Sequence, residues 1–172
     1  SHSSSTTTPI RKDNAPNTGG SIIANEDGSK GYILPNGKPA VDMWVKHDGE
    51  WYHTDKAGNI KVDWYLDENG DWYMLDYKFT QTYGAAVRGW WKDPQDGKWY
   101  YFDPVDCRMW KDWQKIDGKW YYFAPVVEGQ NYFGDNESGW VYKTNKRPYG
   151  SMYCDEVTPD GKRVDANGAR ID

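Results

Sequence analysis

Aliphatic residues, long apolar runs and basic charge are all in short supply in this sequence. Hydrophobic residues occupy only 37% of its 172 positions, which is lean for a conventional aliphatic core. No apolar run approaches the roughly 20 residues that a membrane-spanning helix needs, so the sequence predicts no membrane insertion. The formal net charge is -5, with acidic and basic residues interspersed. Because there is no basic stripe to neutralise phosphates, this pattern excludes nucleic acid as a partner.

Cysteine is also scarce, since Cys107 and Cys154 are the only two in the chain. Two cysteines alone cannot complete a zinc site, and their spacing matches no redox motif. In an exported protein they could form a disulfide, which would contribute roughly 3 to 4.5 kcal/mol to stability if unstrained. The alternative is two unrelated thiols. The sequence leaves both open, because bridging depends on the distance between the two Cα atoms.

Residue patterns typical of enzymes are missing as well. The three histidines are His2, His47 and His53, and the sequence offers the last two no third metal ligand. We therefore expect His47 and His53 to be surface residues. The sequence contains no nucleophile elbow, P-loop, HExxH motif or dinucleotide fingerprint. It predicts a non-catalytic chain without a metal site or a cofactor.

Aromatic residues, by contrast, are abundant: 11 Trp, 14 Tyr and 4 Phe make up 17% of the chain. Apolar burial in this protein must therefore be mainly ring against ring. Such a composition favours thin, laterally stacked β units over a bundle of helices.

Many of these aromatic residues belong to a short repeated segment. The sequence "DGKWYYFDP" at 96–104 returns as "DGKWYYFAP" at 117–125, and looser copies are "DGEWYHTD" at 48–55 and "NGDWYMLD" at 69–76. Asp-Gly or Asn-Gly between aromatic runs is a strong hairpin signal, because both central turn positions tolerate positive φ. Another Trp leads each unit, before the turn. The leading Trp and the Trp after the turn give the pairs Trp44/Trp51, Trp64/Trp72, Trp91/Trp99 and Trp113/Trp120. Each unit is predicted to be a β-hairpin with Trp on both strands.

The spacing of the repeat indicates how the hairpins are used. The second Trp of the pair recurs at positions 51, 72, 99 and 120. A unit near 20 residues is too small to be a domain, because an isolated hairpin is only marginally stable in water. The predicted fold class is therefore all-β, a solenoid of stacked β-hairpins. The longer step carries extra residues at 76–88, which we expect to protrude as an inserted loop.

Composition also divides the chain into two parts. The opening stretch "SHSSSTTTPIRKDNAPNTGG" at 1–20 is rich in Ser, Thr, Pro and Asn and has no periodicity. Residues 1–24 are therefore predicted to be a disordered linker, and residues 25–172 to be the repeat domain. The ends of that domain, at 31–44 and 158–172, keep the Gly punctuation of the repeat without a complete Trp pair. Degenerate terminal repeats of this kind are typical of repeat arrays.

The stretch "GWWKDPQDGKWYYFDP" at 89–104 resembles the choline-binding, or cell-wall-binding, repeats of secreted Gram-positive bacterial proteins. The resemblance extends over about residues 27–172. It implies a solenoid of hairpins that is non-catalytic, lies at the bacterial surface or is secreted, and binds ligands between successive hairpins. The implied partner is choline or a choline-bearing cell-wall polymer of the teichoic-acid type.

The resemblance also implies which residues hold the ligand. The family's cage takes two Trp residues from one hairpin, an aromatic residue from the next and a loop Met as its floor. A quaternary ammonium suits such a box, because its charge is diffuse and it has no hydrogen to donate. Matched to this sequence, the predicted cages are Trp91, Trp99 and Trp120 with Met109; Trp44, Trp51 and Trp72 with Ile60 in place of Met; and Trp64, Trp72 and Trp99.

A second function stays open at this point. Tyr100 and Tyr121 alternate with the Trp residues along their strands, which predicts an exposed aromatic face. Such a face would suit an adhesin-like module that binds a host protein, for example an immunoglobulin, or a mucosal glycan. The intact "DGKWYYF" copies favour the anchoring function. The loss of Gly and Met at their usual positions in the repeat, together with the 76–88 insertion, favours the adhesin.

Overall fold

The computed structural model describes residues 11–15, 19–78, 82–125, 128–133 and 141–172. Across these residues the chain forms antiparallel two-stranded sheets, and its helical content is a single 3-10 turn at Lys12–Asn14. The strands are β1 Ser21–Ala24, β2 Lys30–Ile33, β3 Trp44–His47, β4 Glu50–His53, β5 Asp63–Leu66, β6 Trp72–Leu75, β7 Gly89–Asp93, β8 Lys98–Phe102, β9 Asp112–Ile116, β10 Lys119–Phe123, β11 Glu128–Phe133, β12 Val141–Arg147, β13 Glu156–Val157 and β14 Arg163–Val164. The prediction of an all-β chain of hairpins is confirmed.

Each strand pairs with the next one along the chain, so that β1–β2, β3–β4 and so on to β13–β14 are seven hairpins in the described residues. The predicted Asp-Gly turns occur at Asp48–Gly49 and Asp117–Gly118. Both residues of each turn have positive φ, between 50° and 82°. This geometry matches the twist of the flanking strands, which explains why the sequence writes Asp-Gly there. The turns of β5–β6 and β7–β8 are longer than two residues.

Aspartate side chains organise the connections between hairpins. The Asp55 carboxylate accepts the backbone N–H groups of Ala57 and Asn59, at 2.9 and 2.8 Å. Asp165 repeats the arrangement with Asn167 and Ala169, at 2.9 Å each. These local hydrogen bonds fix tight turns, which gives the many acidic residues of the sequence a structural use.

The chain divides into two compact units, residues 1–63 with 74–86 and residues 64–73 with 87–172. The first unit has a core of mixed aliphatic and aromatic side chains, namely Tyr32, Ala40, Met43, Val45, Tyr52, Ile60 and Ala85. The second unit buries mainly rings, including the clusters around Phe123 and around Tyr122. Ring packing therefore replaces an aliphatic core in the second unit, as the composition predicts, whereas the first unit mixes the two.

Several expectations need correction. Residues 21–24, assigned to the linker, form β1 and pair with β2, and Lys12–Asn14 form the 3-10 turn; residues 1–10 and 16–18 lie outside the described residues. The insertion at 76–88 does not simply protrude, because Ala85 and Ala86 are fully buried; residues 79–81 are not among those described.

His53 is not a surface residue. It is buried edge-on against Trp44, with ring centroids 5.1 Å apart. Burial, aided by the charge of Lys61, lowers the pKa of His53 to about 3. The ring is therefore neutral at physiological pH and belongs to the core.

The two cysteines both lie in the described part of the chain, and no bond joins them. Cys107 is buried, whereas Cys154 is exposed. Among the residues described, no helix is long and apolar enough to span a bilayer. The same residues contain no cluster of three His, Cys, Asp or Glu side chains that could hold a metal ion.

Candidate ligand site

The register of β7 and β8 places two Trp side chains on one face of their hairpin. Trp90 lies opposite Tyr101, and Trp99 lies opposite Lys92. Since side chains alternate along a strand, all four of these residues project from the same face. The rings of Trp90 and Trp99 meet edge-to-face, with centroids 6.1 Å apart and planes at 88°. Two perpendicular indole rings thus form adjacent walls.

The hairpin β9–β10 supplies the next wall. Tyr121 and Phe123 lie two apart on β10 and share a face. Their ring centroids are 5.0 and 5.9 Å from the ring of Trp90. Trp90 is therefore held between its own hairpin and the following one, which fixes its orientation.

A loop further along the chain provides a methionine. The backbone N–H of Met152 donates to the carbonyl oxygen of Trp99 at 2.8 Å, and Met152 also bridges to Phe123. The thioether adds a polarisable apolar surface beside the indole rings.

These groups enclose an open cavity of about 250 Å³. Its lining consists of Trp90, Trp99, Tyr121, Met152, Ala166 and Asn167. Trp90 is 37% exposed and Trp99 41% exposed, whereas Trp44, Trp72 and Trp91 are buried. Two half-exposed indole rings converging on one cavity indicate a ligand site rather than core packing.

The electrostatics of the cavity are those of neutral rings. Burial, followed by the charges of Asp165 and Asp117, raises the pKa of Tyr121, so its phenol stays neutral at physiological pH. The side chains that line the cavity carry no formal charge. An electron-rich lining without fixed charge favours a diffuse cation with apolar substituents over an ion that needs hydrogen-bond partners.

The first predicted cage is only partly brought together. Of its members Trp91, Trp99, Trp120 and Met109, only Trp99 lines the cavity. Trp91 lies opposite Tyr100 on the other face of the hairpin and is buried. Trp120 faces away because its neighbour Tyr121 faces the cavity. The prediction is one residue out of phase on both hairpins, since Trp90 and Tyr121 take the places assigned to Trp91 and Trp120.

The residues of the other two predicted cages also have partners that differ from the prediction. In the second, Trp44 is buried and Trp51 half-buried, and the residue bonded to the Trp51 carbonyl is Ala86, not Ile60. In the third, Trp64 meets Trp72 edge-to-face at 6.1 Å, but its next partner is Tyr100, at 4.9 Å. Trp99 projects from the opposite face of β8 to Tyr100 and cannot join them.

One hydrogen bond recurs at every Trp-bearing second strand. The carbonyl oxygen of that Trp accepts the backbone N–H of a loop residue, at 2.8 to 2.9 Å. The pairs of Trp and loop residue are Trp51 with Ala86, Trp72 with Met109, Trp99 with Met152 and Trp120 with Arg170. We name the four positions the Trp51, Trp72, Trp99 and Trp120 sites. Met109 thus belongs to the Trp72 site and Met152 to the Trp99 site.

Comparisons with known proteins match two segments of this chain to known repeats. Residues 87–126 match the family model of the choline-binding repeat, and residues 44–60 match that of a cell wall binding repeat. Residues 87–126 carry a choline-binding repeat. The first match covers the two hairpins that build the Trp99 site, and the second covers β3–β4. No curated protein sequence matches the chain.

Solved structures show the same repeat architecture. Choline binding protein F from Streptococcus pneumoniae is 28% identical over 88% of this chain, with a TM-score of 0.50. The modular Cpl-1 endolysin, in complex with a peptidoglycan analogue, is 25% identical over 88% of the chain, with a TM-score of 0.51. A pneumococcal cell wall endolysin from phage Cp-1, complexed with choline, is 24% identical over 90% of the chain at a TM-score of 0.50 and so shows the fold.

The chain spans about half the length of these three structures. It covers 57% of choline binding protein F, 43% of the Cpl-1 structure and 40% of the phage Cp-1 endolysin. None of the comparisons supports the adhesin-like alternative. The aromatic face on which that alternative depended is also absent at Tyr100, which is buried.

Proposed function

We propose that this chain is a non-catalytic binding module that attaches a secreted or surface-exposed bacterial protein to choline-bearing cell-wall polymers. The ligand group is the trimethylammonium head of choline, and the binding site is the Trp99 site. The observation that carries the proposal is the cavity itself, with its two exposed indole rings, one phenol ring and one thioether.

The chemistry of the site suits this ligand. A trimethylammonium group spreads its positive charge over methyl groups, so it gains from ring faces and loses little by shedding water. Three rings that contribute roughly 0.5 to 2 kcal/mol each give an affinity near -4 kcal/mol, or about millimolar. A polymer that presents many choline groups raises the effective concentration when several modules or sites engage it together. Weak single-site binding is therefore compatible with firm attachment.

The proposal is tested by titrating choline and monitoring tryptophan fluorescence. We expect a saturable change with a Kd of roughly 1 mM, and a loss of at least tenfold in affinity for Trp99→Leu. Leucine retains apolar volume at this position but removes the ring face. The matched control is Trp120→Leu, because Trp120 is 43% exposed and occupies the equivalent strand position at another site.

A second arm of the experiment tests the role of charge. A neutral alcohol with a tert-butyl group in place of the trimethylammonium has the same shape as choline, and it should bind at least tenfold more weakly. Equal binding of the two compounds, or equal losses from Trp99→Leu and Trp120→Leu, would contradict the proposed site.

A further inference from the structure

The Trp51 site differs from the Trp99 site in what lies against its ring. Its loop residue is Ala86, whose N–H donates to the Trp51 carbonyl at 2.9 Å. Alanine cannot provide the thioether floor that Met152 supplies at the Trp99 site. The Trp51 ring instead carries a cation from the chain itself. The ammonium nitrogen of Lys12 lies 4.3 Å from the ring centroid, and Lys12 is only 9% exposed.

Lys12 comes from outside the repeats. It begins the 3-10 turn Lys12–Asn14, which packs near β3 in the same compact unit. A lysine ammonium is rarely buried without compensation, and the electron-rich face of an indole ring supplies some of it. The segment before the first hairpin is therefore tied to the repeat by the same type of interaction that would hold a choline head group.

A second lysine near Trp51 has a different explanation. Lys46 lies opposite Trp51 in the hairpin register, with its ammonium nitrogen 4.6 Å from the ring. The open Trp99 site has a lysine at the same cross-strand position, Lys92. A cross-strand lysine is thus a feature of the repeat itself, whereas Lys12 comes from outside the repeats and adds a second cation to the Trp51 ring.

The second compact unit contains an independent case. At the Trp120 site the loop residue is Arg170, in the position that Met152 occupies at the Trp99 site. Its guanidinium carbon lies 5.8 Å from the ring centroid of Trp113. Trp113 lies opposite Tyr122, as Trp90 lies opposite Tyr101, so Trp113 is the counterpart of Trp90. A cationic side chain has replaced the apolar floor.

We infer that Lys12 and Arg170 are intramolecular ligands that occupy the Trp51 and Trp113 rings in place of an external quaternary ammonium. This inference rests on the proposed function, because it assigns choline to the Trp99 site and excludes it from the other two. A cation already on the ring repels an incoming cation and covers the face that it needs. The two side chains thus determine which sites of the module take ligand.

Fluorine NMR of protein labelled with fluorotryptophan tests the inference site by site. In the wild-type protein, millimolar choline should shift the Trp99 resonance and leave those of Trp51 and Trp113 unchanged. Because Lys46 also lies on the Trp51 ring, Lys12→Ala combined with Lys46→Ala should make the Trp51 resonance respond to choline. Arg170→Met should do so for Trp113, and Lys46→Ala alone should leave Trp51 silent. Lys12→Arg retains a cation and should leave Trp51 silent.

Two outcomes would overturn the inference. One is a shift of the Trp51 and Trp113 resonances in the wild-type protein over the same choline range as Trp99. The other is that both resonances stay silent in the Lys12→Ala/Lys46→Ala double variant and in Arg170→Met while Trp99 still responds. If choline does not shift the Trp99 resonance in the wild-type protein, the proposed function itself is refuted.

A measurement without choline keeps the two ideas separate. The Lys12 amine should react with an acylating reagent about tenfold more slowly than the exposed amine of Lys56, because a cation on an indole ring is held by about 1.4 kcal/mol. Trp51→Leu should abolish that protection. If Lys12 reacts as fast as Lys56 in the wild-type protein, the internal ligand does not exist, whatever the choline titrations show.

Discussion

The Trp72 and Trp99 sites have nearly the same ring geometry and opposite accessibility. Trp64 meets Trp72 at 6.1 Å and 84°, and Trp90 meets Trp99 at 6.1 Å and 88°. Each leading Trp then packs against a Tyr of the next hairpin, at 4.9 Å for Tyr100 and 5.0 Å for Tyr121. Yet Trp72 is 5% exposed, whereas Trp99 is 41% exposed.

This difference separates two properties that the repeat combines. Hairpin register and the loop hydrogen bond set the arrangement of rings, so both sites have it. The two sites differ in accessibility and also in the polar groups nearby. At the Trp72 site, Asp93 accepts the indole N–H of Trp64 at 2.9 Å, and Arg108 lies 3.7 Å from Asp71. The same aromatic repeat can therefore serve as core at one position and as a binding site at another.

The largest expected effect comes from truncating the two Trp residues. Trp72→Ala should lower the free energy of unfolding by about 3 to 5 kcal/mol, as for a buried aromatic residue. Trp99→Ala should cost about 1 to 2 kcal/mol, because nearly half of its side chain is already in water. Urea denaturation measures both values. Equal losses would show that the Trp99 ring is also core, and Trp120→Ala is the control of similar exposure.

The sequence predicted much of the fold because local signals determine it. Asp-Gly turns and paired Trp residues identify the hairpins, and both features are visible without any long-range information. The site was harder to predict because "WW" and "KWYYF" give no clue to which of two neighbouring rings faces which side. A shift of one residue exchanges the faces, which is why the sequence pattern predicts Trp91 where the structure has Trp90.

The floor of the site was missed for a different reason. Met152 reaches Trp99 only after the hairpin β11–β12, so it lies outside the period of the repeat. Met109 follows the repeat directly, so the sequence pattern predicts it as the floor, although it belongs to the Trp72 site. Non-local contacts of this kind become visible only when the hairpins are placed in space.

The two tyrosines provide a comparison of intermediate size. The Tyr100 hydroxyl donates a hydrogen bond to the Asp96 carboxylate, and burial raises the pKa of Asp96 in spite of that bond. Tyr100→Phe should therefore cost about 1.5 to 3 kcal/mol at neutral pH, because the buried Tyr100 loses a hydrogen bond to a charged group, while Asp96 keeps the Lys98 backbone N–H at 2.8 Å. Tyr121→Phe should change stability by less than about 0.5 kcal/mol, because Tyr121 lines an open cavity.

The pH dependence of the Tyr100→Phe variant has a definite sign. Burial raises the folded-state pKa of Asp96 above its ordinary value, and loss of the hydroxyl donor should raise it further. Ionised Asp96 then destabilises the fold as the pH rises through its folded pKa, and protonation at lower pH relieves the cost. Denaturation at pH 7 and at about pH 4 should show a smaller loss at the lower pH. A loss that grows on acidification would contradict this assignment.

The smallest effect concerns two glycines that lie close to the methionines of the Trp99 and Trp72 sites. A Cβ atom at Gly168 would lie 2.4 Å from the sulfur of Met152, and one at Gly150 would lie 2.3 Å from the sulfur of Met109. Both glycines have positive φ, so each Gly→Ala change should cost about 1 to 2 kcal/mol of stability. Only Gly168→Ala should also weaken choline binding, by roughly threefold to tenfold, since it displaces the floor of the open site. Gly150→Ala moves Met109 of the Trp72 site, where Trp72 is buried, and should leave choline affinity unchanged. Paired measurements of melting temperature and choline affinity on the two variants test this, and equal affinity losses would show that choline binding does not distinguish the two sites.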